Sequence, residues 1–504
     1  MIKINDREKA EKELEEGKLE NVFNIFPNLS DKVIDYNEEQ YKIIDLIDDT
    51  FEDARKYESS LRASLFILSG VQSRMKQLFS ISEVPLALTS EKIIEKLSEN
   101  IFYNPNEELL KESNIRSFLS KYDENYKIKI EEKQKNNGKI NLDREIEFNN
   151  YFVQYFNRFT KEYLIKTKTE CNIHIWDCSV LDVNINNENY EGSTVTIKGG
   201  EKLRGYKMGA LRGVTPNGGV IEEICMDTAK THDLDMSKEM LLNSKYLKPR
   251  DYLLMDRGFL DIKFFKKLTK KNIKVIIPAK KSMEIFEAAV SEAKEKNQWK
   301  KHPNKKRKGQ DITLVQNLEN FWLEKNDKEK KPENLKLEYK INVCVIRFEK
   351  DKNKNILTDD EITSTDDKYA YACIMTNDTD LSCDEIIKHY EMRPEIEEDF
   401  RQLKDFWGLN AYKSTSYTII SFIILICLMG YNFYQIYKES EEGKAYISKS
   451  FIIEEKHGIY MLRDVKTAIV TENYYYFYNQ ADMFDLYSSL NIEKREQIKS
   501  YLTH

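Results

Sequence analysis

The feature that most constrains the fold is a change of pattern near residue 170. From Cys171 to Lys281, short apolar runs typical of strands alternate with runs typical of helices. This alternation predicts an α/β architecture with a mixed sheet, because strands and helices in such folds cover each other's apolar faces. The predicted strands are Ile173 to Val180, Tyr206 to Val214, Val220 to Met226, Tyr252 to Met255 and Ile273 to Ile277, and the helices are Met236 to Asn243 and Asp261 to Lys270. Periodicity alone leaves the strand order open.

The segments on either side of residues 169–281 have other patterns. Residues 1–168 show apolar spacings of three and four, which predict a helical N-terminal domain. Within it, Leu61 to Phe79 fits a helix-turn-helix that reads DNA, although a plain helical hairpin is the simpler alternative. A charged segment with β-like runs at Asp311 to Leu318 and Leu335 to Phe348 predicts a β-rich insertion over residues 282–367. The core is expected to resume over 368–440, which leaves 441–504 as a small C-terminal region.

Length and charge limit the classes of protein that fit. The chain has 504 residues, 40% of them hydrophobic, which is enough for two or more cores. Its formal net charge of -7 argues mildly against nucleic acid. A local basic cluster argues the other way, since a patch rather than the whole chain meets a phosphate backbone. The cluster comprises Lys294, Lys296, Lys300, Lys301, Lys305, Lys306, Arg307 and Lys308. A solvated lysine-rich loop explains it equally well.

Cysteines and apolar segments indicate the compartment. The seven cysteines form no Cys-x-x-Cys pair, so we expect neither a zinc site nor disulfides. The charged N-terminus lacks the apolar core of a signal peptide, which favours a cytoplasmic protein. The apolar run Ile419 to Tyr434 is shorter than the roughly 20 residues that span a bilayer. We therefore expect a buried helix there, with a membrane anchor as the lesser alternative.

Acidic residues mark a candidate metal site. Asp177 follows a strand-like run, and Asp256 follows another. Further along, Tyr390, Arg393, Glu397 and Lys404 have spacings that would place them on one face of a straight helix. An acid that holds a cation, flanked by bases that hold phosphate oxygens, suits phosphodiester chemistry. A solvated amphipathic helix is the alternative explanation.

Proline modifies this helical prediction. Pro394 removes a backbone donor and clashes with the preceding turn, so we expect a break near 392–394 and a new helix from about Pro394. Glu397 and Lys404 then share one face of the new helix. Tyr390 and Arg393 belong to the preceding helix end and turn.

These residues resemble a known family. Tyr390, Arg393, Glu397 and Lys404 match without a gap the Tyr-x2-Arg-x3-Glu-x6-Lys signature of DDE transposases of bacterial insertion sequences, of the insertion sequence four type. The resemblance covers roughly residues 170–435. It implies an RNase H-like core, in which the first three strands are antiparallel and later ones parallel. It also implies that Asp177, Asp256 and Glu397 are catalytic residues that hold two Mg²⁺ (or Mn²⁺) ions.

The same resemblance implies double-stranded DNA as partner, both the terminal inverted repeats and the target, with a homodimer in the DNA complex and no membrane. The residues that we expect to contact DNA are Tyr390, Arg393, Lys404, Arg257, Lys207, Trp299 and Trp322. Aromatic side chains such as Trp299 suit stacking on an unpaired base. For Trp322 the core of a small β-domain is the simpler alternative.

Two other functions remain open from the sequence. One is a domesticated DNA-binding derivative that no longer cuts, which the acidic net charge mildly favours and the three intact acids oppose. The other is a magnesium-dependent nuclease of repair or restriction. The sequence does not reveal which DNA ends are recognised.

Overall fold

The structure is a computed structural model. It describes residues 4–25, 33–36, 39–42, 46–47, 50, 67, 70–71, 112–122, 146–216, 218–319, 339–349, 369–405, 407–439, 454–455, 458–459, 466–478 and 480–502. Of the segment predicted as a helix-turn-helix, Leu61 to Phe79, only residues 67, 70 and 71 are among these. Trp322 lies outside the described residues.

The described strands fall into one large sheet and three small ones. In chain order they are β1 (Ile4–Asn5), β2 (Leu19–Ile25), β3 (Val33–Tyr36), β4 (Glu39–Lys42), β5 (Ile173–Val183), β6 (Thr194–Lys198), β7 (Glu201–Thr215), β8 (Gly218–Thr228), β9 (Tyr252–Met255), β10 (Lys274–Pro278), β11 (Lys300–Lys301), β12 (Gln310–Leu318), β13 (Ile341–Glu349), β14 (Tyr369–Thr376), β15 (Glu454–Glu455), β16 (Gly458–Ile459), β17 (Lys466–Thr471) and β18 (Tyr474–Tyr478).

The described helices cover the faces of these sheets and connect their strands. In chain order they are α1 (Arg7–Glu15), α2 (Glu112–Lys121), α3 (Tyr151–Lys166), α4 (Asp233–Asn243), α5 (Ile262–Lys270), α6 (Glu284–Lys296), α7 (Cys383–Tyr390), α8 (Glu395–Asp405), α9 (Tyr417–Glu439), α10 (Gln480–Ser489) and α11 (Ile492–Leu502).

The centre of the large sheet has the RNase H-like arrangement. Its strands lie in the order β8, β7, β5, β9, β10. The β5–β7 and β7–β8 pairs are antiparallel, whereas β9 runs parallel to β5 and β10 parallel to β9. This is the predicted pattern of three antiparallel strands followed by parallel ones. The predicted α/β fold class is confirmed.

Residues of the central strands alternate between two hydrophobic layers, as the period of two in a strand requires. Ile175, Leu254 and Ile276 pack on one face with α3 and α9. Their neighbours Trp176 and Leu253 pack on the other face with α5 and α6. Both faces of these strands are therefore covered by apolar side chains.

The predicted insertion is not a separate β-domain in the residues described. Strands β11, β12 and β13 continue the large sheet beyond β14, which pairs with β10 of the core. Helix α6, which the sequence did not predict, packs on this extension through Ala289 and Ala293. The two predicted β-runs correspond to β12 and β13, so the strands were predicted and their place in the core sheet was not.

Helix α9 is a core helix. It is 23 residues long, so the expectation that it is too short to span a membrane is wrong. One stretch, Tyr417–Ile436, is long and apolar enough to do so, but 89% of its most apolar window is buried inside the protein. It packs on α3 and β8, and Asn432 donates to the Ile221 carbonyl at 2.8 Å and accepts from the Ile221 amide at 2.9 Å. Burial therefore supports the predicted core helix.

The two ends of the chain meet in one small sheet of order β1, β18, β17, β2. Strand β2 pairs antiparallel with β17, so Val22 lies opposite Ile469. The expectation of helices alone in residues 1–168 is therefore wrong for the residues described between 4 and 42, among which α1 is the one helix and β1 to β4 are strands. The aromatic run Tyr474 to Tyr478 forms β18, with Tyr478 fully buried.

One covalent link was not predicted from the cysteine spacing. A disulfide joins Cys344 of β13 to Cys383 at the start of α7, with their Cα atoms 5.4 Å apart. The other five cysteines are free. The prediction that no disulfide forms is wrong for this pair.

Candidate active site

Strand pairing places the first two acids side by side. Trp176 of β5 lies opposite Met255 of β9 in a parallel pair. The next residues, Asp177 and Asp256, therefore stand at neighbouring positions where β9 ends. Asp256 then occupies the N-cap position of a short 3-10 turn, Arg257–Phe259, where its carbonyl accepts from the Phe259 amide.

Asp177 sits in an environment that disfavours its charge. Burial raises the pKa of its carboxyl group to about 6, the Arg393 guanidinium opposes this shift, and the charges of Glu397 and Asp256 add to it. The Cys178 amide donates to Asp177 Oδ1 at 2.8 Å. Glu397 and Asp256 therefore lie near enough for their charges to act on Asp177.

Arg393 joins the two distant parts of the site. Its Nη2 donates to Asp177 Oδ2 at 3.0 Å, and its Nη1 donates to Glu397 Oε1. The side chains of Asp177 and Arg393 are 15% and 13% exposed, whereas that of Glu397 is 56% exposed. The guanidinium thus connects a buried acid on the sheet to an accessible acid on α8.

The helix break predicted at Pro394 is confirmed. Helix α7 ends at Tyr390, a turn follows, and α8 begins at Glu395. The Arg393 amide donates to the Tyr390 carbonyl at 3.0 Å in this turn. The turn lets Arg393 point at Asp177 while Glu397 projects from the first turn of α8.

Lys404 fixes the far end of α8 to the same strand. Its Nζ donates to Ser179 Oγ and to the Val180 carbonyl, both at 2.8 Å. Burial lowers the pKa of Lys404, and Lys198 lowers it further. Glu397 and Lys404 therefore do face the same side, along β5, as the spacing of seven residues predicted.

Tyr390 is close to the acids. Burial raises the pKa of its phenol, and the charges of Asp256 and Glu397 raise it further. Its ring packs partly against the main hydrophobic core. The hydroxyl is therefore neutral at physiological pH and suited to hydrogen bonding.

Other residues that we expected to contact DNA have protein partners. Lys207 contacts Asp233 at 2.5 Å and donates to the Thr231 carbonyl. Trp299 stacks under Arg347, whose guanidinium carbon lies 4.2 Å from the ring centroid. Arg257 is half-buried next to Asp256. Their contacts with DNA remain predictions.

The basic cluster lies next to the turn that carries Arg393. Asn304 Nδ2 donates to Glu391 Oε1 at 2.7 Å, and Lys300 pairs with Asp384 at 2.5 Å. These contacts attach the loop between β11 and β12 to α7 and the residues after it. The loop exposes Lys305, Lys306, Arg307 and Lys308.

The donor atoms of the site suit magnesium or manganese, although the acids are not drawn together around a common point. In the part of the chain that the structure describes, no group of three or more His, Cys, Asp or Glu side chains is arranged to hold a metal ion. Arg393 instead separates Asp177 from Glu397. Carboxylate oxygens are nevertheless the ligands that Mg²⁺ and Mn²⁺ prefer. The chemistry of the donors fits these ions.

Sequence reasoning missed the residues that support the site. Arg212 is 2% exposed and bonds Asp399 of α8. Two neighbouring acids have other partners: Asp182 accepts from Asn410, and Asp261 caps α5. His232 caps α4. An arginine within an apolar strand was the available signal for a buried ion pair.

Comparison with known proteins agrees with this geometry. Residues 183–433, about half of the chain, match the family model of the transposase DDE domain. This span contains Asp256, the segment from Tyr390 to Lys404 and helix α9 as far as residue 433, and it begins six residues after Asp177. No curated protein matches the chain. Together with the RNase H-like sheet, the match supports a DDE transposase domain in residues 183–433.

Proposed function

We propose that this protein cuts DNA at the ends of its own insertion sequence and joins the freed 3′ ends to target DNA. Asp177, Asp256 and Glu397 are the proposed catalytic residues. The observation that carries the proposal is the bridge from Arg393 to Asp177 and Glu397, because it joins the sheet to a helix more than 200 residues later in the chain. We further propose that the protein is of the insertion sequence four type, because the residues from Tyr390 to Lys404 match the signature of that type.

Asp177, Asp256 and Glu397 are the residues that would hold two Mg²⁺ or Mn²⁺ ions. Such ions supply a nucleophile at neutral pH and neutralise the charge that develops on the leaving oxygen. Asp177 must be ionised to act as a ligand. Its raised pKa means that this ionisation requires a pH above about 6 or a nearby cation.

Arg393 has two successive roles in this proposal. Without DNA it neutralises Asp177 and Glu397. If bound cations neutralised those acids instead, its planar group would be free to bind a phosphate next to the site with two parallel hydrogen bonds. Tyr390 supports the same phosphate or stacks on a base, and Lys404 keeps α8 on β5.

DNA is proposed to run across the basic loop and the site. The loop residues Lys305 to Lys308 are exposed and adjoin the turn before α8. Arg257, Lys207 and Trp299 are proposed to contribute after their present partners give way. Since the whole chain is acidic, binding must rest on this local patch, and it should weaken steeply with salt.

Assembly and location are proposed on the same basis. A homodimer is expected to form on DNA, in the cytoplasm near the nucleoid. The N-terminal domain is proposed to bind the DNA ends, and the C-terminal region, whose strands pair with β1 and β2, to assist dimerisation. Light scattering of the cleaved complex tests this, because one protomer per synapsed pair would end the dimer proposal.

One experiment separates the proposed function from its two rivals. Purified protein is mixed with Mg²⁺ and DNA that carries the inverted repeats flanking its own reading frame. Cutting followed by joining to a plasmid supports the transposase. Binding without cutting supports a domesticated derivative, and hydrolysis without joining supports another nuclease.

A further inference from the structure

A buried ion network holds α8 from behind. Arg212 of β7 is 2% exposed, and its Nε donates to Asp399 Oδ2 at 2.5 Å. Its Nη2 pairs with Glu395 Oε2 at 2.8 Å. The second oxygen of Asp399 accepts from the Tyr431 hydroxyl of α9 at 2.8 Å. Asp399 is therefore hydrogen-bonded to the sheet through Arg212 and to a core helix through Tyr431.

Helix geometry connects this network to the proposed catalytic residues. Asp399 follows Glu397 by two residues, so the two side chains project about 200° apart around α8. Glu397 points to Arg393 at the surface, and Asp399 points into the core with 6% exposure. Any rotation of the helix that moved Asp399 would swing Glu397 by the same angle.

Arg212 holds two consecutive turns of α8. Glu395 and Asp399 are four residues apart and share one face of the helix. The buried apolar side chains of α8 are Ile396, Phe400 and Leu403. Apolar contacts are not directional and tolerate a small slide or rotation, whereas hydrogen-bonded charges permit one geometry.

We propose that Arg212, Asp399 and Tyr431 form a clamp that positions α8, and through it Glu397 and Lys404, for DNA cutting. The inference rests on the proposed function for its activity readout. All three are positioning residues that do not touch DNA. Burying these charges costs desolvation free energy, and an apolar cluster of the same shape would pack as well. A positioning role explains why the buried charges are present.

Gly219 of β8 leaves the space that the clamp requires. A Cβ atom there would lie 2.2 Å from Arg212 Cζ and 2.4 Å from Nη2. Its backbone is not in the left-handed region, so alanine fits the chain conformation and only the guanidinium must move. Gly219→Ala thus displaces the clamp without changing any of its members.

The test compares three mild variants with one control. Asp399→Asn keeps the side-chain volume, Tyr431→Phe removes one hydroxyl, and Gly219→Ala displaces the guanidinium. Arg401→Ala is the control, because it breaks an exposed ion pair with Glu398 on the same helix. Single-turnover cutting of end DNA is measured together with the Kd for that DNA and amide hydrogen exchange in α8.

We expect the cutting rate to fall about 100-fold in Asp399→Asn and Gly219→Ala, and about tenfold in Tyr431→Phe, while the Kd stays within about twofold. Exchange in α8 should rise in all three and stay normal in Arg401→Ala. Unchanged exchange and rates would overturn the clamp, as would a rate loss that merely follows the unfolded fraction. If the wild type cuts no DNA, the proposed function fails, and the exchange comparison alone still decides whether the clamp holds α8.

Discussion

Strand β5 contributes one residue to each of two clusters, and in each cluster one basic side chain lies between two acidic ones. The two clusters differ in their exposure to solvent. His174 contacts Glu222 at 2.6 Å and Asp251 at 3.3 Å, and the three side chains are 1%, 4% and 11% exposed. Asp177 lies three residues after His174 on the same strand. Arg393 contacts Asp177 and Glu397, and the Glu397 side chain is 56% exposed. We call the group of His174, Glu222 and Asp251 the sealed cluster, and the group of Arg393, Asp177 and Glu397 the open cluster. Both combine one base with two acids, and they lie on opposite faces of β5.

The difference separates a structural use of buried charge from a functional one. In the sealed cluster no group can exchange its partner without exposing the core, so the charges tie β5 to β8 and to the residue before β9. In the open cluster the accessible Glu397 can change partners while the sheet stays folded. Removing an acid should therefore damage stability in one cluster and activity in the other.

The largest expected effect is in the open cluster. Asp177→Asn should lower DNA cutting by at least about 1,000-fold, because an amide cannot replace a carboxylate that holds a metal ion. The melting temperature should not fall, since burial already disfavours the charged form of Asp177. The measurement is a cutting assay with thermal unfolding in parallel.

A matched control exists on the same strand. Asp182 is exposed and lies five residues from Asp177. Asp182→Asn should cut at the wild-type rate. Equal losses in both variants would show that the acids of β5 act by a general charge effect.

Removing an acid from the sealed cluster should destabilise the folded protein rather than abolish its activity. Glu222→Gln should lower the free energy of unfolding by about 4 kcal/mol, because it leaves the His174 imidazolium half-paired in the core. Urea unfolding measures the loss, and the exposed Glu201→Gln serves as control. A Glu222→Gln variant as stable as the control would remove the distinction between the clusters.

The sealed cluster should also give stability a pH dependence. Burial alone would lower the pKa of His174, but Glu222 and Asp251 outweigh it and raise the pKa to about 9. The folded state thus keeps a proton that the unfolded state loses near pH 6.5. Stability from this group is complete below pH 6.5 and is lost as pH rises to 9, on the order of 3 kcal/mol in all.

His174→Gln isolates this contribution. Unfolding free energies at several pH values between 6 and 9.5 are compared for the two proteins. The difference between wild type and variant should shrink as pH rises. A difference that is constant across this range would mean that His174 is not charged in the folded protein.

The smallest expected effect is stabilisation by metal. Mn²⁺ at about ten times its Kd should raise the wild-type unfolding free energy by about 1.4 kcal/mol, because it binds only the folded site. Asp177→Asn should lose this increment, and His174→Gln should keep it. An increment that survives in Asp177→Asn would place the metal elsewhere.

Local patterns in the sequence predicted the central strands and the acids they carry. Asp177 and Asp256 follow apolar runs, and the helix break at Pro394 follows from the chemistry of proline. Spacing also predicted that Glu397 and Lys404 share a face. All of these depend on residues close together in the chain.

Long-range contacts were not predictable in the same way. Strand β2 was missed because its partner β17 lies more than 400 residues away, and β12 and β13 were predicted as strands without their place in the core sheet. The bonds from Arg393 to Asp177 and from Arg212 to Asp399 likewise span about 200 residues. Periodicity reports which face a residue occupies and not which distant residue it meets.

The most direct test of the account is the position of manganese in crystals of the protein with end DNA. The account predicts two Mn²⁺ ions at about 2.1 Å from carboxylate oxygens of Asp177, Asp256 and Glu397, with Arg393 released to a phosphate. Manganese bound away from these acids, with Arg393 still joining Asp177 to Glu397, would contradict it.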